Sequence, residues 1–521
     1  MRLAHRTGVS RERLLNYLRS ELIPDITSFV ARRTAESEDG AAFAHAQLSR
    51  ELAYDGILPL FGFPTRVRTL YVEPPGQSDR NVWPPNESAI SRQLKIAVGE
   101  FAPGGEIVRD KTIYRSVGLV AYDAALQPVL RPYRNLETTE ICTACGKIAE
   151  KDDATFRPCR FCNQGTFETR LLIEPLGFRT DYAADPRTYD WGTEFTPRGG
   201  SARLTGAPVP EDGYPVRSAE LRYGRGMVYV VNDNNGDGYT LQSILEQPGI
   251  IDAREARRLD WRPADYVRPL ADVGLKCKTT TDVLVVGANE SLRRRFDVSP
   301  TSPARRAAWT SLGALLATVA AAKLDIDPHE LEQGTWQEVD NDGQPRAFVF
   351  IADELENGAG FSEQIGDGPF FTEVLLDSLG PMFGERFEDR GTHTCDASCY
   401  RCLRSYANRQ KHPLLDWRLG LDFVHLLLGH DLPNREHDYV AAVASLRAID
   451  AEYSPVDVGP NHARLVRGDI SLIVAHPFLR TDNAWIDGRP TLRTSIFDIV
   501  RLKHVIVNGI PDRLGSLQRI V

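Results

Sequence analysis

Eight cysteines, most of them in two tight clusters, constrain this chain more than any other feature of its sequence. The first cluster consists of two Cys-x2-Cys pairs, formed by Cys142, Cys145, Cys159 and Cys162. The second has Cys-x3-Cys-x2-Cys spacing and comprises Cys395, Cys399 and Cys402, which leaves Cys277 alone. Thiolates spaced this closely around a turn can converge on one tetrahedral ion about 2.3 Å away. The layout predicts two Zn²⁺ sites that hold loops in place, rather than a catalytic cysteine.

The first cluster has enough ligands for a closed zinc ribbon. Gly146 and Gly165 follow its two pairs, and thirteen residues separate the pairs. A catalytic zinc normally keeps an open position, and a four-sulfur set implies none, so we expect a structural site. Some zinc ribbons touch nucleic acid, and Arg157 and Arg160 on this loop leave that second role open.

The second cluster supplies only three sulfur ligands. His412, ten residues beyond Cys402, is our first candidate for the fourth ligand, with His393 and Cys277 as alternatives. A site of three sulfurs and one imidazole nitrogen is usual for structural zinc.

Length and charge limit the functional class. A chain of 521 residues favours two to four domains. Its net charge of −9 means that any contact with DNA must come from local basic patches. No run of eighteen apolar residues and no signal-like N-terminus is present, so we expect a cytoplasmic protein without a membrane partner.

Hydrophobic periodicity predicts an α+β, multidomain fold. Together with the two cysteine clusters, it indicates a β-rich zinc-ribbon region followed by an α/β zinc-binding domain. We expect a helical N-terminal region with a Gly-Phe-Pro turn at 1–88, the β-rich region at 89–262, the zinc-binding α/β domain at 263–430 and an α/β tail at 431–521. The helical patterns cover 9–35, 39–54, 306–326, 368–384 and 414–429, and the segment 73–88 reads as a loop. Buried strands are expected at 282–286 and 348–351, and the helix at 306–326 is apolar on nearly all sides, which predicts burial.

Basic residues interleaved with aromatics suit contact with phosphates and bases. The candidate nucleic-acid contacts are Arg66, Arg68, Arg401, Arg404, Tyr406, Arg409 and Lys411. A further basic group, Arg293 to Arg295 with Arg305 and Arg306, flanks a Pro/Ser linker. A solvated charged surface is the alternative for each patch.

No catalytic constellation stands out. The chain contains no Gly-x4-Gly-Lys-Ser/Thr phosphate loop. Asp353, Glu354 and Glu356 follow a predicted strand, where carboxylates can hold magnesium for a nuclease. Solvated loop acids are the interpretation we favour for these three residues.

Four segments together resemble the zinc-binding domain of MrfA-type superfamily 2 helicases, which also occurs in DrmB-like subunits of DISARM and in other phage-defence helicases. These segments are Asp282-Val-Leu-Val-Val, the Trp309-Thr-Ser-Leu-Gly helix, the strand ending at Asp353 with Asn357-Gly-Ala-Gly360, and HTCDASCYRCLRSYANRQKHPLLD. The resemblance extends from about Gly56 to about Leu415.

The chain departs from this family in two respects. It has neither a Walker A motif nor a DEAH-like box, and His412 stands near the place of the fourth zinc cysteine. The resemblance therefore implies a non-motor, zinc-stabilised, DNA-engaging subunit of an anti-phage defence system, with a superfamily 2 helicase or ATPase as its partner. A scaffold that docks defence proteins without touching DNA, and a metal-dependent nuclease, remain the alternatives.

Overall fold

The computed structural model describes residues 66–501 with short gaps, and three isolated positions before them. The gaps are 76–88, 124–125, 150–156, 183–186, 190–200, 210–212, 265–266, 382, 389–394, 406–407, 481–484 and 487–488. The helices predicted at 9–35 and 39–54, and most of the predicted loop 73–88, lie outside the described residues.

Strands dominate the first half of the described chain. Those before the ribbon are β1 Val67–Tyr71, β2 Ala89–Gln93, β3 Glu106–Arg109 and β4 Thr112–Leu119. The ribbon, which carries the first cysteine cluster, contains β5 Tyr133–Cys142, β6 Ile148–Ala149 and β7 Phe167–Pro175. The strands after it are β8 Phe178–Thr180, β9 Arg187–Thr188, β10 Ser201–Val209, β11 Tyr214–Val216, β12 Ala219–Asn232, β13 Tyr239–Ser243 and β14 Ile250–Asp252. Two short helices, α1 Leu94–Glu100 and α2 Ala253–Arg258, lie among them.

Helices are more frequent in the second half. Its first strands are β15 Leu270–Ala288, β16 Leu331–Val339 and β17 Pro345–Asp353. Its helices are α3 Glu290–Arg295, α4 Pro303–Leu324, α5 Phe361–Gly366, α6 Gly368–Leu379, α7 Gly384–Glu388, α8 Trp417–Leu427, α9 Glu436–Ile449 and α10 Ile496–Arg501. A smaller sheet follows, made of β18 Ser454–Gly459, β19 His462–Arg467, β20 Ile470–Ala475, β21 Trp485–Ile486 and β22 Arg489–Thr494.

The mixture of sheets and helices confirms the predicted α+β class. Strands β1 to β17 form one network of pairings among the described residues, and β18 to β22 form the second sheet. The long strand β15 joins the two halves, because it pairs antiparallel with β12 from Ala219↔Ala288 to Asn232↔Leu275 and also with β17. The four domain ranges stay a prediction, and this pairing connects the two central ones.

Helix α4 is the centre of the largest hydrophobic core. Ser302 accepts a hydrogen bond from the Arg305 N–H and caps the helix, and Pro303 follows at its first turn. The Trp309 indole packs edge-on against Phe423 of α8, with 4.4 Å between the ring centroids. The prediction of a buried helix is confirmed, and truncating a core tryptophan to alanine costs about 3–5 kcal/mol.

The same helix meets the length and composition criteria for crossing a membrane, and it is the one helix among the described residues that does so. In the structure, 78% of its most apolar window is buried against other parts of the chain. That degree of burial is typical of a core helix.

Other sequence-based predictions are also confirmed, with one change. The strands predicted at 282–286 and 348–351 lie within β15 and β17, and the amphipathic helix at 414–429 contains α8. The helix predicted at 368–384 is two helices, α6 and α7, separated at Gly380. Glycine is a poor helix former, which explains the break at that position.

Candidate metal centres

The first cysteine cluster closes at the end of β5. The β5–β6 turn carries Cys142 and Cys145, and the Gly146 N–H donates to the Cys142 carbonyl at 3.0 Å. The second pair lies in a matching turn, where the Cys159 N–H donates to the Gly165 carbonyl at 2.7 Å. A Cβ on Gly165 would lie 2.7 Å from the Cys142 sulfur, so only glycine allows the two turns to approach this closely.

The four sulfurs of this cluster have the geometry of a zinc site. All four lie within 4.8 Å of one another. The sulfurs of Cys142 and Cys162 are 3.8 Å apart, close to the separation of about 3.8 Å expected for two thiolates on a tetrahedral ion at about 2.3 Å. Hydrogen bonds with Cys145 and Cys159 lower the pKa of Cys142 to about 7, whereas the pKa of Cys145 is raised by its neighbours. One thiolate is thus stabilised by the protons that its neighbours keep, and a bound cation would allow the neighbouring thiols to ionise as well.

The ribbon is fixed to the body of the protein by a lysine between two aromatic rings. The Lys147 ammonium lies 4.9 Å from the ring centres of both Phe161 and Trp336. It also donates a hydrogen bond to the Gln337 carbonyl at 2.8 Å. Each such cation–π contact contributes about 0.5–2 kcal/mol. The sequence analysis missed this anchor, because Trp336 lies far along the chain from Lys147.

A second anchor joins the ribbon to the start of α4. The Gln164 side-chain amide donates to the Thr301 carbonyl at 2.6 Å, and Arg306 donates to the Gln164 side-chain oxygen at 2.6 Å. The Arg305 guanidinium is paired with Asp297. Both arginines of the predicted basic group at 305–306 therefore serve contacts within the protein.

The second cysteine cluster forms a compact loop at the N-terminus of α8. Its three sulfurs lie within 4.8 Å of one another. Backbone N–H groups point at them, from Arg401 to the Cys399 sulfur at 3.3 Å and from Cys399 to the Cys402 sulfur at 3.0 Å. The Trp417 indole donates to the Cys395 carbonyl at 3.0 Å and ties the loop to the helix. N–H groups directed at sulfur stabilise the thiolate form that binds metal.

Among the described residues, only the three cysteines bring a metal-binding atom to this site, and no fourth ligand joins them. No ring nitrogen of His412 and no sulfur of Cys277 joins the group of atoms within 4.8 Å of one another. The His412 Nε2 is instead 3.0 Å from both the Ser405 carbonyl and the Asn408 side-chain oxygen. The geometry gives no support to His412 as the ligand, and His393 lies outside the described residues.

The predicted nucleic-acid residues around this loop differ in their exposure. Arg401 is exposed, and the neighbouring Tyr400 ring is 69% exposed. The Arg404 guanidinium donates to the Ser398 hydroxyl at 2.9 Å. Arg409 is half-buried in a short 3₁₀ turn, and Tyr406 lies outside the described residues.

Three other predicted contacts are already engaged inside the protein. Lys411 donates to the Gln333 carbonyl at 2.8 Å, and burial lowers its pKa. Arg68 is buried and forms an ion pair with Glu174 at 2.7 Å. Arg66 forms an ion pair with Glu356 at 2.8 Å. Contact with phosphate at these positions would require breaking existing pairs, so they stay predictions without geometric support.

The acidic group after β17 differs from the solvated loop acids that we expected. Asp353 is 1% exposed, and its carboxylate accepts hydrogen bonds from the N–H groups of Ala359, Phe361 and Ser362. Glu354 lies 3.5 Å from the Lys95 ammonium, and Glu356 pairs with Arg66. The expectation is wrong for Asp353, which stabilises the turn before α5. A nuclease site gains no support from these carboxylates.

No established family has a sequence profile that matches the chain. Two solved structures of the DUF1998 helicase MrfA are similar, one bound to DNA and one bound to DNA and AMPPNP. The first is 10% identical with a TM-score of 0.30, covering 75% of this chain and 40% of that chain. The second is 11% identical with a TM-score of 0.20, covering 46% and 24%.

A curated relative matches more of this chain. The Druantia protein DruE of Escherichia coli (strain UMEA 4076-1) is 24% identical over 460 residues. The match covers 80% of this chain and 24% of DruE, so the chain spans about a quarter of the length of that relative.

Proposed function

We propose that this chain is a zinc-stabilised, non-motor, DNA-engaging segment of a bacterial anti-phage defence system that works with a superfamily 2 helicase motor. The observation that carries the proposal is the loop of Cys395, Cys399 and Cys402, which converges as a metal site and leaves Arg401 and Tyr400 exposed. The similarity to the Druantia protein DruE supports the defence context.

The loop has two exposed side chains that suit contact with DNA, one for the phosphate backbone and one for a base. The Arg401 guanidinium can pair with a phosphate, and the exposed Tyr400 ring can stack on an unpaired base. A metal ion would fix their positions, because its thiolate ligands lie directly beside both residues. Zinc binding is thereby coupled to the shape of the DNA-contacting loop.

The test is DNA binding as a function of salt concentration. We expect Arg401→Gln to weaken binding to single- and double-stranded oligonucleotides and to reduce the slope of log K against log salt by about one. Fluorescence anisotropy with labelled oligonucleotides measures both quantities, with the helicase partner present and absent. Arg447→Gln, on the exposed face of α9, is the matched control and should bind like the wild type.

Two results would contradict the proposal. One is the absence of DNA binding with and without the helicase. The other is an Arg401→Gln variant whose affinity and salt slope equal those of the wild type.

A protein-docking scaffold is the second candidate function. The net charge of −9 favours it, since an acidic surface repels the DNA backbone. This alternative would be supported if the chain co-purified with a helicase in a complex that did not bind DNA at any salt concentration.

A further inference from the structure

A cavity of about 700 Å³ lies between α3, the segment 296–301, the β16–β17 hairpin and the outer end of the ribbon, where Asn163 follows Cys162. Cavities of this size commonly bind small molecules. Its basic lining residues are Arg293, Arg294, Arg346 and Arg480, and the amide side chains of Asn163 and Gln344 join them. No residue of the 395–402 loop lines it, so the cavity is independent of the proposed DNA contact.

Three of the four acidic side chains that line the cavity have partners within the protein. Asp297 pairs with Arg305 and accepts a hydrogen bond from the Ser299 hydroxyl at 2.6 Å. Glu290 pairs with Arg294. One oxygen of Asp340 accepts the N–H groups of Asp342 at 3.1 Å and Gln344 at 2.8 Å. The fourth acid, Asp342, is exposed on the hairpin.

Arg293 is a partly buried cation of the cavity that has only a long contact with a carboxylate. Its side chain is 28% exposed, and its Nη1 lies 3.5 Å from Asp340, beyond an ordinary hydrogen bond. Its Nε is buried and has no hydrogen-bond partner in the described part of the chain. By contrast, Arg346 has two carboxylate partners, Glu220 at 2.6 Å and Glu338 at 3.0 Å. A buried donor without a partner is costly, and an anion at the exposed part of the Arg293 side chain would add to the incomplete compensation of this guanidinium.

The surroundings of Arg293 disfavour its charged form, which agrees with its incomplete compensation. Burial lowers its pKa first, and the nearby charge of Arg346 lowers it further. Arg480 approaches from the C-terminal unit and donates to the Arg293 carbonyl, so the two arginines are in contact and both line the cavity. Two arginines that line one cavity can together contact the several oxygens of a phosphate.

We propose that this cavity binds a phosphate group, with Arg293 and Arg480 as its contacts. The phosphate belongs either to a free nucleotide or to the 5′ end of a nucleic acid, since both fit a cavity better than an internal phosphodiester of a duplex does. Asn163 and Gln344 would then donate hydrogen bonds to the same group or to the attached sugar.

The experiment titrates the full chain with three probes: ADP, a 5′-phosphorylated oligonucleotide and the same oligonucleotide with a 5′-hydroxyl. Trp309 lines the cavity and donates to the Val298 carbonyl at 2.8 Å, so its fluorescence reports on occupancy, and calorimetry gives the affinity. We expect ADP or the phosphorylated oligonucleotide to bind saturably, and Arg293→Gln and Arg480→Gln each to weaken that binding about tenfold. Tighter binding of ADP identifies a nucleotide site, and tighter binding of the phosphorylated oligonucleotide identifies a nucleic-acid end.

Arg447→Gln is the matched control and should bind as the wild type does. Arg480 is exposed, so Arg480→Gln keeps the test valid even if Arg293→Gln fails to fold. The proposal is overturned if neither phosphorylated probe binds, if the 5′-hydroxyl oligonucleotide binds as tightly as the phosphorylated one without any binding of ADP, or if folded Arg480→Gln binds like the wild type. Arg401→Gln should leave this binding unchanged, which separates failure here from failure of the proposed DNA contact.

Discussion

At the scale of single residues, the carboxyl group of Asp282 on β15 is covered by the turn that contains Gly358, and its charged form is disfavoured there. Gly358 has a φ of +83°, and a Cβ there would lie 2.0 Å from an Asp282 carboxylate oxygen. The turn therefore packs directly against the carboxyl group, at a distance that only glycine allows. Burial, and then the charge of Asp353, raise the pKa of Asp282 from 3.8 to about 6. Its ionised form is therefore less stable in the folded protein than in the unfolded chain.

This raised pKa predicts a pH dependence of stability. Between pH 4 and 6 the folded state binds the proton more tightly than the unfolded state, so Asp282 favours folding below about pH 4 and this contribution is lost as the pH rises through about 6. Asp282→Asn should remove that trend and raise the free energy of unfolding at pH 8 by about 1–3 kcal/mol. Urea unfolding of both proteins from pH 4 to 8 measures the difference. Parallel curves for the two proteins across this range would contradict the assignment.

At the scale of elements, the ribbon joins the first cysteine cluster to two anchors on the body of the protein. The β5–β6 turn and the turn before β7 meet at the four sulfurs, and the two anchoring residues, Lys147 and Gln164, each lie two residues from a cysteine of the cluster. Metal binding and folding of such a small unit are the same event.

Removal of one ribbon ligand should therefore release this whole unit. Cys142→Ser should lower the zinc content from about two to about one ion per chain and expose Trp336, because the ribbon that covers it unfolds. Metal analysis and tryptophan emission measure the two effects. Cys277→Ala is the matched control, since that thiol is buried apart from both clusters, and it should retain both ions. Full zinc content in folded Cys142→Ser would show that the ribbon does not hold metal.

At the scale of the whole molecule, a buried charge cluster joins the second sheet to helix α8. Asp422 on α8 accepts hydrogen bonds from Arg435 at 2.7 and 2.5 Å. Its other oxygen is 3.2 Å from Nε2 of His476, whose Nδ1 accepts the Phe478 N–H. The proton of the neutral imidazole therefore lies on Nε2 and is donated to Asp422. Burial opposes ionisation of Asp422, but Arg435 and His476 more than offset it, and its pKa is lowered.

Loss of the Arg435 cation should weaken the connection between the second sheet and α8. Arg435→Gln leaves a buried carboxylate without its main partner, which costs about 3–5 kcal/mol. We expect faster proteolysis between α8 and α9 and an earlier unfolding transition in denaturant. The double variant Asp422→Asn/Arg435→Gln should be less damaged than the sum of the two single variants, because no unpaired charge remains. Strict additivity would mean that the pair does not connect the units.

The sequence was informative wherever the signal is local. The spacing of the cysteines predicted both sets of converging sulfurs, and the apolar patterns predicted α4, α8 and the strands β15 and β17. Metal-ligand spacing and hydrophobic periodicity involve residues within a few turns of one another, so the chain alone contains them.

Only the tertiary structure decided which charges are available. Arg68, Arg305 and Lys411 look like free cations in sequence, but each has a partner within the protein, whereas Arg401 is exposed and Arg293 has a buried Nε without an acceptor. The physical reason is that local chain geometry brings cysteine ligands together, while a charge is neutralised by whichever group folding places beside it, often from a distant part of the chain.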